Sequence, residues 1–125
     1  MPVIKVWCLP PMGETELNAL HKTIVTAAMS VEELGIRGED DITCLFPTGM
    51  MAYGLGTEVI IEVTGLFVKP ERTEEIRKFL ANALVLAVGA HCHRADLIEC
   101  FIYPFDQKQG YASFRRDIII MRSCP

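Results

Sequence analysis

A proline stands directly after Met1 in this sequence. Trimming of methionine is usual before a small residue, and here it would leave Pro2 as a secondary amine. An ordinary α-amino group titrates at about 8. Burial in an apolar pocket and nearby cations both disfavour the protonated form and lower that value. A base with a pKa near the working pH transfers protons most effectively. Pro2 is therefore the residue whose type and place offer the most chemistry. With Met1 attached, its nitrogen is an amide and cannot act as a base. Its alternative role is to open an edge strand, where proline is tolerated.

Proton abstraction beside a carbonyl builds negative charge, which cations or hydrogen-bond donors must stabilise. Arg37, in Gly35-Ile36-Arg37, and the pair Lys69 and Arg72 are three of the twelve Lys and Arg residues. The planar fork of Arg72 suits a carboxylate. The alternative role of each of the three is a solvated surface charge, the usual state of Lys and Arg. His91-Cys92-His93 has metal-ligand residue types but no second ligand pair in sequence, so a loop with solvated side chains is expected and no metal site. His21 and Lys22 read as helix surface. Asp41 and Asp106 are two of the sixteen acidic residues and carry no firm assignment. Cys8, Cys44, Cys92, Cys100 and Cys124 are odd in number and form no C-x-x-C. Reduced thiols in a cytoplasmic protein are expected, with no thiol oxidoreductase activity.

The elements that must position these residues read as a duplication. Strands are expected at 2–9, 41–47, 58–68 and 96–104, and helices near 14–34 and 71–90. Val3-Ile4-Lys5-Val6 parallels Ile60-Ile61-Glu62-Val63, and Leu9 parallels Leu66. Ile42-Thr43-Cys44 parallels Ile98-Glu99-Cys100. Leu17, Leu20, Ile24, Ala27, Val31 and Leu34 recur at helical spacing, as do Ile76, Leu80, Ala83, Leu84 and Ala87. Gly35 suits the end of the first helix and Pro70 the start of the second. Glu74 and Lys78 can pair across one turn. In the third strand, Val59, Ile61, Val63 and Phe67 are expected on one face, with Glu58, Glu62 and Thr64 on the other.

Two such strand–helix–strand units predict an α/β (α+β) sandwich: a four-stranded mixed sheet with two helices on one face. The other face is left bare and apolar, so association through it is expected. The 125 residues fit one domain, and half of them are apolar. The net charge of −4 lacks the basic footprint of a nucleic-acid binder. No apolar run reaches the length of a membrane span.

Four features together resemble the tautomerase superfamily, most closely its macrophage migration inhibitory factor branch. They are Pro2 opening a strand, PTGMMAYG at 47–54, FIYPFD at 101–106 and GYASF at 110–114. The resemblance covers about residues 1–114 as one domain, leaving 115–125 as a C-terminal extension. It implies a homotrimer and a cofactor-independent keto–enol tautomerase acting on an α-keto acid or phenylpyruvate-like small molecule. It also implies Pro2 as catalytic acid/base, with Arg37, Lys69 or Arg72 holding substrate. Phe101 and Tyr103 correspond to pocket residues contributed by a neighbouring subunit, although Phe101 lacks the branch's hydroxyl. The cations match no single branch. Hydration, dehalogenation or decarboxylation by a protonated proline therefore stays open, as does a non-enzymatic ligand-binding or regulatory module. Asp117-Ile118-Ile119-Ile120-Met121 is expected to add an outer strand.

Overall fold

The computed structural model describes residues 1–48 and 54–116. Six main elements follow in order: β1 (Val3–Trp7), α1 (Glu14–Met29), β2 (Thr43–Leu45), β3 (Glu58–Phe67), α2 (Glu74–Gly89) and β4 (Leu97–Phe105). Short 3-10 turns occupy Glu32–Leu34, Glu39–Asp41 and Gln107–Gln109. The sheet order is β2-β1-β3-β4. β1 runs parallel to β2 and β3 parallel to β4, while β1 and β3 are antiparallel. No helix among the described residues is long and apolar enough to cross a membrane. The tail from Asp117 onward, with its expected strand, lies outside the described residues.

The duplication is present in the hydrogen-bond register. Val3, Ile4 and Lys5 pair with Thr43, Cys44 and Leu45. Their counterparts Ile60, Ile61 and Glu62 pair with Glu99, Cys100 and Phe101. At the centre, Lys5 lies opposite Glu62, its own counterpart, with Ile4 opposite Val63 and Val6 opposite Ile61. A pseudo-two-fold axis therefore passes between Lys5 and Glu62.

The alternation of strand side chains decides the layers. Ile4, Val6, Val59, Ile61, Val63 and Leu66 are buried beneath the helices. Leu20, Ile24, Val25 and Ala28 of α1 and Leu80, Leu84, Ala87 and Val88 of α2 close over them. The helices thus lie on one sheet face, as expected. The opposite face carries Trp7 and Glu62, joined by a hydrogen bond from the indole N–H to the carboxylate. It also carries Leu45, Leu97, Phe101 and Tyr103, all exposed.

Three local expectations are corrected. The first helix stops at Met29, and Val31 and Leu34 reach the core from the turn that follows it. Gly35, at φ 67°, closes that turn rather than the helix. The second helix starts after Thr73, whose hydroxyl accepts the Ile76 N–H, so Pro70 belongs to the preceding turn. Phe67 does not share a face with Val63: a bulge at Gly65, φ 71°, shifts the register and buries Leu66 instead. One extra residue reverses every side chain beyond it. The Glu74–Lys78 pair does form, at 3.5 Å and largely in solvent, where it adds little stability.

Cys44 and Cys100 are equivalent positions under the repeat, and burial pushes their thiols up to about 11 and about 12 from an ordinary 9.0. A raised folded-state pKa stabilises the fold below the unfolded value and loses that contribution as pH rises towards the folded one. Thermal melts between pH 9 and 11 should therefore fall more steeply for the wild type than for a Cys44→Ala/Cys100→Ala double variant. Parallel pH curves would refute this account.

Candidate active site

Pro2 is half-buried at the start of β1, in an interior position of the sheet. On one side its carbonyl accepts the Thr43 N–H of β2 at 3.1 Å. On the other lies the β3 bulge, because Val3 pairs with Thr64 and Gly65 comes next. A Cβ placed on Gly65 would come within 3.2 Å of the Met1 carbonyl oxygen and 3.9 Å of the Pro2 Cα. Gly65 thus supplies both the positive φ and the room beside Pro2. It was not singled out in the sequence, although an isolated glycine in a β-branched run signals a bulge or a close backbone approach.

Met1 is exposed, and its sulfur accepts the Thr43 hydroxyl at 3.5 Å. Its removal would leave the Pro2 nitrogen bordered by Thr43 and the bulge. Gly65→Ala should lower stability by about 1–2 kcal/mol, from the strained left-handed backbone alone. The urea midpoint measures this, and an unchanged midpoint would show that the bulge relaxes freely.

The structure brings Arg72 and Lys69 to the same end of the sheet as Pro2. Phe67 lies two residues past Gly65, about 7 Å of strand. Arg72 donates from Nη1 to the Phe67 carbonyl and from Nη2 to the Leu34 carbonyl, both at 2.9 Å. Its Nε–H points at the Glu33 carbonyl at 3.5 Å. The guanidinium therefore ties the turn after α1 to the end of β3, and two of its five N–H groups make no hydrogen bond among the described residues. Lys69 is exposed in the same turn, its carbonyl accepting the Arg72 N–H. Arg37 is exposed three residues beyond Leu34, and its backbone N–H is held by the Asp41 carboxylate at 2.9 Å.

Phe101 and Tyr103 are not brought to Pro2 within one chain. β3 separates β4 from β1, a lateral distance of about 10 Å. Both side chains project from the open sheet face, 42% and 47% exposed. Aromatic surface also collects at the end of β3, where Tyr111 meets Phe67 edge-on at 4.8 Å between ring centroids. The proline-to-MAYG segment falls partly outside the described residues.

The remaining candidates have local partners. The Thr23 hydroxyl donates to the Ala19 carbonyl and lies 2.8 Å from His91 Nε2. Among the described residues no group of three or more His, Cys, Asp or Glu side chains is placed to hold a metal. Asp106 caps the turn after β4 by accepting the Lys108 N–H at 3.0 Å.

Solved structures share this architecture. A fused 4-OT, described as a wild-type asymmetric trimer, superposes with a TM-score of 0.66 at 14% identity, over 96% of this chain and 98% of the other. Macrophage migration inhibitory factor from Toxoplasma gondii does so with 0.61 at 18% identity, over 90% and 97%. Malonate semialdehyde decarboxylase gives 0.58 at 15% identity, over 97% of each chain. The likeness is one of fold, and that fold is the tautomerase fold expected from the resemblance. No protein-family model matches the sequence, and no curated protein matches it.

Proposed function

We propose that the chain belongs to the tautomerase superfamily and is an enzyme that moves a proton at a small α-keto acid or phenylpyruvate-like substrate, without a cofactor. The observation that carries this reading is the placement of Pro2. It opens an interior strand, flanked by Gly65 and Thr43, at the end of the sheet where Arg72 and Lys69 lie.

Freed of Met1, the Pro2 nitrogen takes a proton from the carbon beside the keto group. The resulting enolate is anionic, and Arg37, Lys69 or Arg72 stabilises it or holds the substrate carboxylate. Arg72 is the best positioned of these, because its backbone contacts fix the fork before substrate arrives. The proton then returns from the proline to complete the interconversion.

Assembly belongs to the same reading. The open sheet face suits a homotrimer, in which Phe101 and Tyr103 of one subunit would line the pocket of the next. The trimers of fused 4-OT, which share the fold, support a trimeric assembly. The experiment is an intact mass of the native protein followed by a phenylpyruvate tautomerase assay. Retained Met1, or equal activity in wild type and Pro2→Ala, would return the chain to a ligand-binding role.

A second reading rests on the cations after β3 and the likeness to malonate semialdehyde decarboxylase. There a protonated Pro2 would act as acid in decarboxylation or hydration. The pH–rate profile separates the two. A base gains activity as pH rises through its pKa, and an acid loses it.

A further inference from the structure

At the end of the sheet opposite Pro2 lies a cavity of about 160 Å³. It is lined by Cys8, Pro10, Glu58, Val59, Arg94 and Ala95, among others. The pseudo-two-fold axis relates this place to the surroundings of Pro2. Val59 stands where the repeat has Pro2, and Cys8 where it has Gly65. Their backbones agree: Cys8 has φ 67° and Gly65 has φ 71°. Arg94, in the loop from α2 to β4, stands in the counterpart of the loop that carries Arg37. Val59 is mid-chain and has no amine, while the loop that corresponds to that of Arg37 still carries a cation in Arg94.

The charges are specific. The two oxygens of Glu58 accept the Leu55 and Gly56 N–H groups at 2.7 and 2.9 Å. These bonds hold its carboxyl below the usual range, so it stays ionised. Each oxygen keeps a lone pair for another donor. Arg94 has no carboxylate within ion-pair distance among the described residues. Asp96 sits nearby, accepting the Thr57 hydroxyl at 2.9 Å. A simple anion would meet Arg94 but be repelled by Glu58 and Asp96. A simple cation would meet the reverse. A ligand carrying both charges a short distance apart satisfies each. Val59, Pro10 and Ala95 offer an apolar floor, and a void of about 150 Å³ holds a body the size of benzene.

We propose that this cavity binds a zwitterionic α-amino acid with an apolar side chain, its carboxylate on Arg94, its ammonium on Glu58 and its side chain over Val59. It is a binding site without proton chemistry, independent of the activity at Pro2. Cys8 is exposed and lines the cavity, so its thiol reports occupancy.

The test follows iodoacetamide labelling of Cys8 by peptide mass spectrometry, with L-leucine as the probe. Leucine at about four times its Kd should slow Cys8 labelling about fivefold. 4-Methylpentanoate and 3-methylbutylamine each lack one charge and should bind at least about tenfold more weakly, as should leucine to Arg94→Gln. The thermal midpoint of Arg94→Gln should match the wild type, since Arg94 is an exposed loop residue. Pro2→Ala should keep full protection. An unchanged labelling rate with leucine in the tens of millimolar overturns the proposal. So does protection by 4-methylpentanoate equal to that by leucine, full protection in Arg94→Gln, or loss of protection in Pro2→Ala.

Discussion

Pro2→Ala should lower kcat/KM for phenylpyruvate tautomerisation by about a hundredfold or more, the usual contribution of a positioned acid/base group. The alanine variant still presents an α-amino group after Met1 removal, so the residual rate measures what a flexible primary amine achieves there. The proline ring fixes the direction of the lone pair, and the neighbouring strands fix the ring. Stability should change little. Pro2 contributes its carbonyl to the Thr43 N–H, and alanine supplies the same carbonyl. A loss of activity with an unchanged thermal midpoint assigns the effect to the amine. A loss accompanied by unfolding would leave Pro2 as a structural residue. Blocking the amine by a retained or added N-terminal residue should abolish activity as completely as the substitution.

Under the proposed assembly, Phe101→Asp should yield monomers and remove the proposed activity with them. Phe101 projects from the middle of β4 on the face away from the helices and is 42% exposed in one chain. Tyr103, Leu45 and Leu97 share that face. A carboxylate desolvated at such an interface costs several kcal/mol, enough to dissociate an assembly of ordinary size. Leu45→Asp, on the opposite edge strand, separates assembly from pocket chemistry, because Leu45, unlike Phe101, is not proposed to line a pocket. Both variants should sediment as monomers. An oligomer of unchanged mass in both would show that the open face is not the association surface.

Much of this fold is legible in the sequence because its information is periodic. The two helical faces and the matched β-branched runs identify four strands and two helices, and the structure adds their order and the antiparallel pairing of β1 with β3. What the periodicity misses is where it breaks. Nothing in the run Glu58–Phe67 marks the side-chain reversal except Gly65, one residue whose conformation overrides the alternation. The end of α1 is missed for a related reason. Val31 and Leu34 keep helical spacing, yet they reach the core from a separate 3-10 turn. The site is less legible than the fold. Pro2, Lys69 and Arg72 stand out by type, but the contacts that tie Arg72 to Phe67 and Leu34 join segments far apart in sequence. No spacing rule reports them. Cys8 looks like a small apolar strand residue. Only the structure shows it in a left-handed backbone that costs a non-glycine residue about 1–2 kcal/mol.

The near-symmetry of the backbone has a consequence for stoichiometry. Two unlinked units with this register would present two chain starts, one at each end of the central strand pair. Covalent joining through residues 46–57 turns the second start into an internal peptide bond. The backbone keeps its approximate two-fold axis, but the proposed N-terminal amine does not obey it. An amine-directed inhibitor that selects the N-terminal proline should therefore saturate at one equivalent per chain. A circularly permuted chain opening with proline at position 59 would carry the amine to the opposite end of the same sheet.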